Sequence, residues 1–140
     1  MDITVKSDCS GIDWQLVAET LRDVGMGHHA PDLHRKAFEN SHTAIFIFHR
    51  GRMFGFGRAI SDGAYQAAVY DVAVHPDYQK KGLGNTIMEN ILARLPDCNV
   101  ILYASPGKEE FYRKHKFRKM KTGMALFRNA GKMADMGFTD

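Results

Sequence analysis

The stretch VHPDYQKKGLGNTIMEN, Val74 to Asn90, runs from an apolar strand end through a polar turn, two lysines and two glycines into a helix. Gly82 and Gly84 let the backbone approach a ligand closely, and a helix start directs N–H groups and a positive dipole end at an anion. Lys80 and Lys81 add local positive charge. The helix carries Leu83, Ile87, Met88, Ile91, Leu92 and Leu95 on one side and is stopped by Pro96, so its apolar stripe must lie on a sheet. A Walker loop is excluded, because Gly84 is followed by Asn85 and the Gly107-Lys108-Glu109 run lacks the hydroxyl residue. A dinucleotide fingerprint fits poorly: Gly82-Leu83-Gly84 meets Ile87 three residues on, and a long loop precedes it.

Outward from this loop, alternating apolar residues precede it and a helical period lies further upstream. Ile3 to Val5 reads as a short strand, and Ser10 with Asp13 as a helix start of capping-box type. Ile12, Leu16, Val17, Leu21 and Val24 then share one helical face, closed by Gly25 and Gly27, and Pro31 opens a shorter helix to about Asn40. Residues 43–74 predict three consecutive antiparallel strands, with turns at Arg50-Gly51 and Asp62-Gly63. Phe46, Phe48, Phe54 and Phe56 alternate as core residues of the first hairpin. After the loop and its helix, NVILYA reads as a strand buried on both faces, and the strand-helix-strand order predicts a parallel crossover. Lys108 to His115 predicts a short helix, Phe117 to Lys121 and Met124 to Arg128 two last strands, and residues 129–140 a tail without a period.

The chain's 140 residues, 44% hydrophobic and 25% charged, predict one folded domain. The net charge of +3 is too small for a nucleic-acid surface without clustering, and the clearest basic cluster, Arg113 to Lys121, is local. Cys9 and Cys98 have no CxxC partner, which argues against a zinc site and a disulfide framework. His28, His29 and His34 lack the spacing of a metal-binding helix, so no metal is expected. No apolar run approaches the ~18 residues of a membrane span, and the N-terminus does not read as a signal peptide. A cytoplasmic, unanchored protein with no nucleic-acid or membrane partner is the expectation.

QKKGLG, Gln79 to Gly84, matches the Q/R-x-x-G-x-G/A pattern of the GNAT superfamily of acyl-CoA-dependent N-acyltransferases. YDVAVHPDY before it resembles that superfamily's fourth-strand segment. EEFYRKHKF, Glu109 to Phe117, resembles its downstream FYxxxGF signature, with Lys116 where the family often has glycine. The resemblance covers residues 1–128 and implies an α/β mixed sheet of six to seven strands, splayed between strands 4 and 5, with about four helices. Residues 55–84 also resemble the group that includes plant and cyanobacterial arylalkylamine acetyltransferases.

What the resemblance implies for chemistry is direct attack of a primary amine on acetyl-CoA in a ternary complex. Val72, Ala73 and Val74 are then expected to pair with pantetheine as a missing strand would, and Gln79, Lys80, Lys81, Gly82, Leu83 and Gly84 to wrap the pyrophosphate. Ser105 falls where the family often places a pantetheine-contacting Asn. Asp71 matches an acidic position of some members and is the candidate proton acceptor; strand alternation puts it on the face of Val69 and Ala73. Tyr112 matches the tyrosine that protonates the departing thiolate. The loop of His28, His29 and His34 lies where the family builds its acceptor-side wall. The acceptor is read as a small-molecule amine and the assembly as a homodimer. A protein or peptide amine as acceptor, and a non-catalytic acyl-CoA sensor, are the alternatives.

Overall fold

Arg50 and Gly51 both take positive φ, 52° and 75°, the pair of left-handed residues that closes a two-residue hairpin with the twist of its strands. They join β2 (Thr43–His49) to β3 (Arg52–Ser61) in this computed structural model, which describes residues 1–140. The second connection is longer than its Asp-Gly pair suggests. Asp62 Oδ1 accepts the N–H groups of Ala64, Tyr65 and Gln66 at 2.8, 2.9 and 3.1 Å, and Gly63 supplies a φ of 72° before β4 (Gln66–Val74) begins. With β1 (Thr4–Lys6) and β5 (Asn99–Ile101) these form one sheet in the order β1-β2-β3-β4-β5, antiparallel except for the parallel β4–β5 pair.

Pleat alternation assigns the two faces. Phe46, Phe56 and Ala73 lie in register on one face, where they pack with Val17 and Leu21 of α1 (Trp14–Asp23) and Phe38 of α2 (Pro31–Glu39). Ile45 and Gly57 lie in register on the other, against α3 (Leu83–Ala93), whose Leu83, Ile87, Met88 and Ile91 are buried. Phe46, Phe54 and Phe56 are buried as expected of a core, and Phe48 packs partly buried against them. The first helix is capped by Asp13, whose carboxylate accepts the Leu16 N–H at 3.1 Å, and not by Ser10, which turns back onto Asp8.

The chain divides into two compact units, residues 1–102 and 103–140. The second holds α4 (Glu109–Arg113) and α5 (Ala130–Asp135). In it Tyr103, Phe127 and Phe138 form a ring cluster with centroids 5.5, 5.9 and 6.4 Å apart, which ties the end of the tail to the start of the unit. Lys116 has φ 70°, the left-handed position that closes α4: its N–H reaches the Arg113 carbonyl at 2.9 Å, and the Phe117 N–H reaches that of Tyr112 at 3.2 Å. That is a conformation glycine adopts without steric cost, and a lysine takes it here.

Three expectations need correction. The sheet has five strands and not six or seven, because 117–121 and 124–128 form no ladder. Arg118, Lys119 and Lys121 crowd like charge into the first segment, and Met124 and Leu126 of the second are exposed. NVILYA contributes only three strand residues, and Asn99 and Ile101 are exposed because β5 is an edge strand with one neighbour. There are five α-helices where about four were expected, and a 3-10 turn at Pro76–Tyr78.

Gly57 marks the tightest approach of sheet and helix. A Cβ there would lie 2.9 Å from Ile87 Cγ2, 3.0 Å from Ile91 Cδ1 and 3.1 Å from Val72 Cγ2. Overpacking of this kind costs about 1–3 kcal/mol, so Gly57→Ala is expected to lower the thermal midpoint. An unchanged midpoint would show that α3 does not rest on β3 as described.

Candidate active site

The β4–β5 ladder pairs Gln66, Ala67 and Ala68 with Asn99, Val100 and Ile101 and ends there, while β4 continues to Val74. The two strands part at this point, between the fourth and fifth as expected. On its other side β4 stays paired with β3, and the register decides which backbone groups face where. The His75 N–H donates to the Phe54 carbonyl at 2.7 Å, so Gly55↔Val74 is a non-hydrogen-bonded pair and Phe56↔Ala73 a hydrogen-bonded one. The backbone of Ala73 is therefore committed to β3. Val74 faces away from β3, and its carbonyl accepts Gln79 Nε2 at 3.0 Å.

Between Phe56↔Ala73 and Arg58↔Tyr70 the register slips by one, so Gly57 alone stands opposite Asp71 and Val72. This is a β-bulge, and its extra residue, Asp71, has φ 57°. A left-handed conformation costs an L-residue roughly 1–2 kcal/mol. The bulge also breaks the alternation read from the sequence. Val69 pairs with Ala59 on the α3 face, whereas Asp71 shares the opposite face with Tyr70 and Ala73. There Asp71 Oδ2 accepts a hydrogen bond from Arg58 Nε at 2.8 Å. Arg58 Nη1 reaches Ser41 Oγ at 3.3 Å, and its guanidinium carbon lies 5.7 Å from the Phe38 ring centroid and 5.3 Å from that of Tyr70.

The loop after β4 is pinned before it reaches α3. His75 Nδ1 accepts the Asp77 N–H at 3.1 Å and opens the 3-10 turn. Tyr78 stacks on the buried Phe54 with centroids 4.5 Å apart and an interplanar angle of 23°. Lys81 Nζ lies 5.7 Å from the Tyr78 ring centroid. Lys80 and Gly82 have φ of 65° and 74°, and Gly82 starts α3 without a side-chain cap. Alternating handedness of this kind turns backbone N–H groups toward one point, as anion-binding turns do. The first N–H groups of Leu83 and Gly84 belong to a helix start, which offers no intrahelical acceptor.

Residues 14–137 match the family model of the acetyltransferase (GNAT) domain. The chain belongs to the GNAT family. It is 33% identical over 115 residues to the ycf52-like N-acetyltransferase of Prochlorococcus marinus, covering 77% of this chain and 64% of that protein. It is 34% identical over 116 residues to the chloroplastic serotonin N-acetyltransferase 2 of Oryza sativa subsp. japonica, covering 78% and 58%. The chain thus spans less than two thirds of the length of these relatives. A GNAT-family acetyltransferase structure from Streptococcus pneumoniae superposes with a TM-score of 0.76 at 23% identity, over 91% of this chain and 99% of that one, a likeness of fold.

In the second unit of this GNAT domain, Tyr112 is half-buried with its ring edge-on to Phe111 and Phe117, at 5.0 and 6.0 Å between centroids. Burial pushes its phenol above the ordinary tyrosine value, so it is protonated at neutral pH. Ser105 is half-buried, and its carbonyl accepts the Lys108 N–H at 2.9 Å in the turn that leads to α4. No group of three or more His, Cys, Asp or Glu side chains is arranged to hold a metal. The sequence offers Arg58, with Asp62 and Tyr65 around the second hairpin, only as an open substrate contact, and it gives Tyr78 no role in the site. An arginine flanked on both sides by mostly buried apolar residues is the available signal for the first, and nothing in spacing marks the second.

His34 of α2 is buried, and its Nε2 accepts the His29 N–H at 2.8 Å. Burial holds its imidazole below the ordinary histidine range; the Asp71 carboxylate pulls the other way, and His29, Arg58 and His28 lower it further. Because the folded-state value lies below the unfolded value of about 6.5, the unfolded chain takes up the proton first on acidification. The stability contributed by neutral His34 is complete above about pH 6.5 and is lost as pH falls toward the folded-state value. The thermal midpoint of the wild type is expected to decline over that window more steeply than that of His34→Gln. Equal slopes would contradict it.

Proposed function

We propose that this GNAT domain transfers an acetyl group from acetyl-CoA to a small primary amine by direct attack in a ternary complex. The observation that carries this reading is the stretch of β4 beyond Ala68, which runs on without β5 beside it and leads through one 3-10 turn into the Gln79–Gly84 loop. An extended amide-bearing chain such as pantetheine pairs with such a strand as a neighbour would, through Val72 and Val74. Its pyrophosphate then meets the N–H groups of Gly82 to Gly84 at the start of α3, with Lys80 nearby. Ser105 is assigned a pantetheine contact.

The amine nitrogen attacks the acetyl carbonyl carbon, a tetrahedral oxyanion forms and is stabilised by backbone N–H of β4, and the C–S bond then breaks. Before attack Asp71 takes a proton from the acceptor ammonium, directly or through water, on the carboxylate oxygen not bonded to Arg58, which frees the nitrogen lone pair; the nitrogen's second surplus proton passes to water as the amide forms. Tyr112 gives its proton to the leaving thiolate. A half-buried phenol held protonated at neutral pH suits that task. For the acceptor, the 34% identity to a rice protein named for serotonin acetylation supports an arylalkylamine.

Thermal stabilisation by acetyl-CoA, followed by free-thiol release across a panel of arylalkylamines, alkylamines and lysine peptides, tests the proposal. Stabilisation and release with arylalkylamines are expected. Tyr112→Phe is expected to lower kcat by roughly 10²-fold or more, the scale of general acid catalysis, and Asp71→Asn to remove the acidic limb of the pH–rate profile. Stabilisation without release for any amine would favour a binding module, release only with peptides a protein acetyltransferase, and no stabilisation would remove the acyl-CoA reading altogether.

A further inference from the structure

Arg58 is the only charged side chain between Arg52 and Asp62, in a strand whose neighbours are mostly buried. Its own side chain is 16% exposed and that of its partner Asp71 21%. Two rings, Phe38 and Tyr70, confine the guanidinium, and its two hydrogen bonds leave in different directions, from Nε to Asp71 Oδ2 and from Nη1 to Ser41 Oγ. Ser41 Oγ in turn donates to the Ala37 carbonyl at 2.7 Å, so the tether runs from the end of α2 through Arg58 to the bulge of β4.

We propose that Arg58 is a positioning residue for acetyl transfer, which holds Asp71 in its left-handed bulge and thereby sets which backbone groups β4 offers to acyl-CoA. The inference rests on the reading of β4 as the acyl-CoA strand. A strained φ at a non-glycine residue persists only where its surroundings over-determine it, and Asp71 has one charge-assisted partner that does so, Arg58. The register gives the bulge its consequence. Removing the extra residue from the ladder shifts β4 by one, and a one-residue shift exchanges the two sides of every residue beyond it. Ala73 would then turn away from the core, and the backbone of Val74 would turn toward β3. A lysine has no planar fork to reach Asp71 and Ser41 together, so Arg58→Lys is not a conservative change here.

The test compares acetyl-CoA affinity by calorimetry, kcat and KM in the unsubstituted domain, Arg58→Met, Arg58→Lys, Asp71→Gly and Arg58→Met/Asp71→Gly. Arg58→Met and Arg58→Lys are expected to weaken acetyl-CoA binding about tenfold or more. Glycine accepts φ 57° without steric cost, so Arg58→Met/Asp71→Gly is expected to recover acetyl-CoA affinity while kcat stays low for want of the carboxylate. If Arg58→Met does not fold, Arg58→Lys against Arg58→Lys/Asp71→Gly makes the same comparison. Normal acetyl-CoA binding by folded Arg58→Met or Arg58→Lys overturns the inference, as does a loss that Asp71→Gly fails to restore. Failure of the unsubstituted domain to bind acetyl-CoA would instead remove the proposed function, and this inference with it.

Discussion

Past Ala68, one side of β4 has no strand of the sheet beside it, and a backbone N–H or C=O without a partner costs about 1–3 kcal/mol when water is also excluded. Much of the fold is arranged around that stretch. The hairpin of β2 and β3 holds β4 from the other side, so that the backbone of Ala73 is committed and that of Val74 is turned outward. Gln79, at the start of the next loop, reaches back to the Val74 carbonyl. The strand end and the loop that follows are thus one structural unit, and the loop's approach to α3 is fixed by Tyr78 stacked on Phe54.

Two close contacts, on opposite faces of the sheet, set the geometry of this unit. On one, Gly57 lets Ile87 and Ile91 of α3 come so near to the sheet that no side chain fits between them. On the other, the Arg58–Asp71 ion pair closes the bulge above the aromatic core of Phe38, Phe46 and Phe56. Gly57 is also the residue that faces the bulge, so the absence of a side chain serves both the helix and the irregularity in the strand. His34 lies close enough to feel the Asp71 charge, which brings α2 and its preceding histidine loop to the same face of the sheet as the candidate proton acceptor.

Much of this is legible in the sequence, because it depends on periodicity and on residues with special backbone needs. The stripe of α3, the Arg50-Gly51 turn, the parallel crossover and the parting of strands 4 and 5 follow from patterns of period 3.6 and 2, from glycine, and from a family motif in register. The bulge is not legible. An extra residue in a strand leaves no mark in an alternating sequence, so alternation assigns Asp71 to the face of Val69 when it lies opposite. Arg58 is visible as a charge among apolar residues, but its partner is 13 positions away and is brought near by the register. The last two expected strands do not form because alternation in 117–128 signals a strand only if another strand lies beside it. The glycines of the Gln79–Gly84 loop are readable as the turn that opens α3, while the left-handed Lys80 is not, since no composition rule marks a lysine for positive φ.

The measurement that bears most directly on the central claim is amide hydrogen exchange, residue by residue, along β4 with and without acetyl-CoA. Ala73, already bonded to Phe56, is expected to be protected in the free domain and to change little. Exchange at Val72 and Val74 is expected to slow when acetyl-CoA is bound. Bound acetyl-CoA that leaves exchange at Val72 and Val74 unchanged would contradict it.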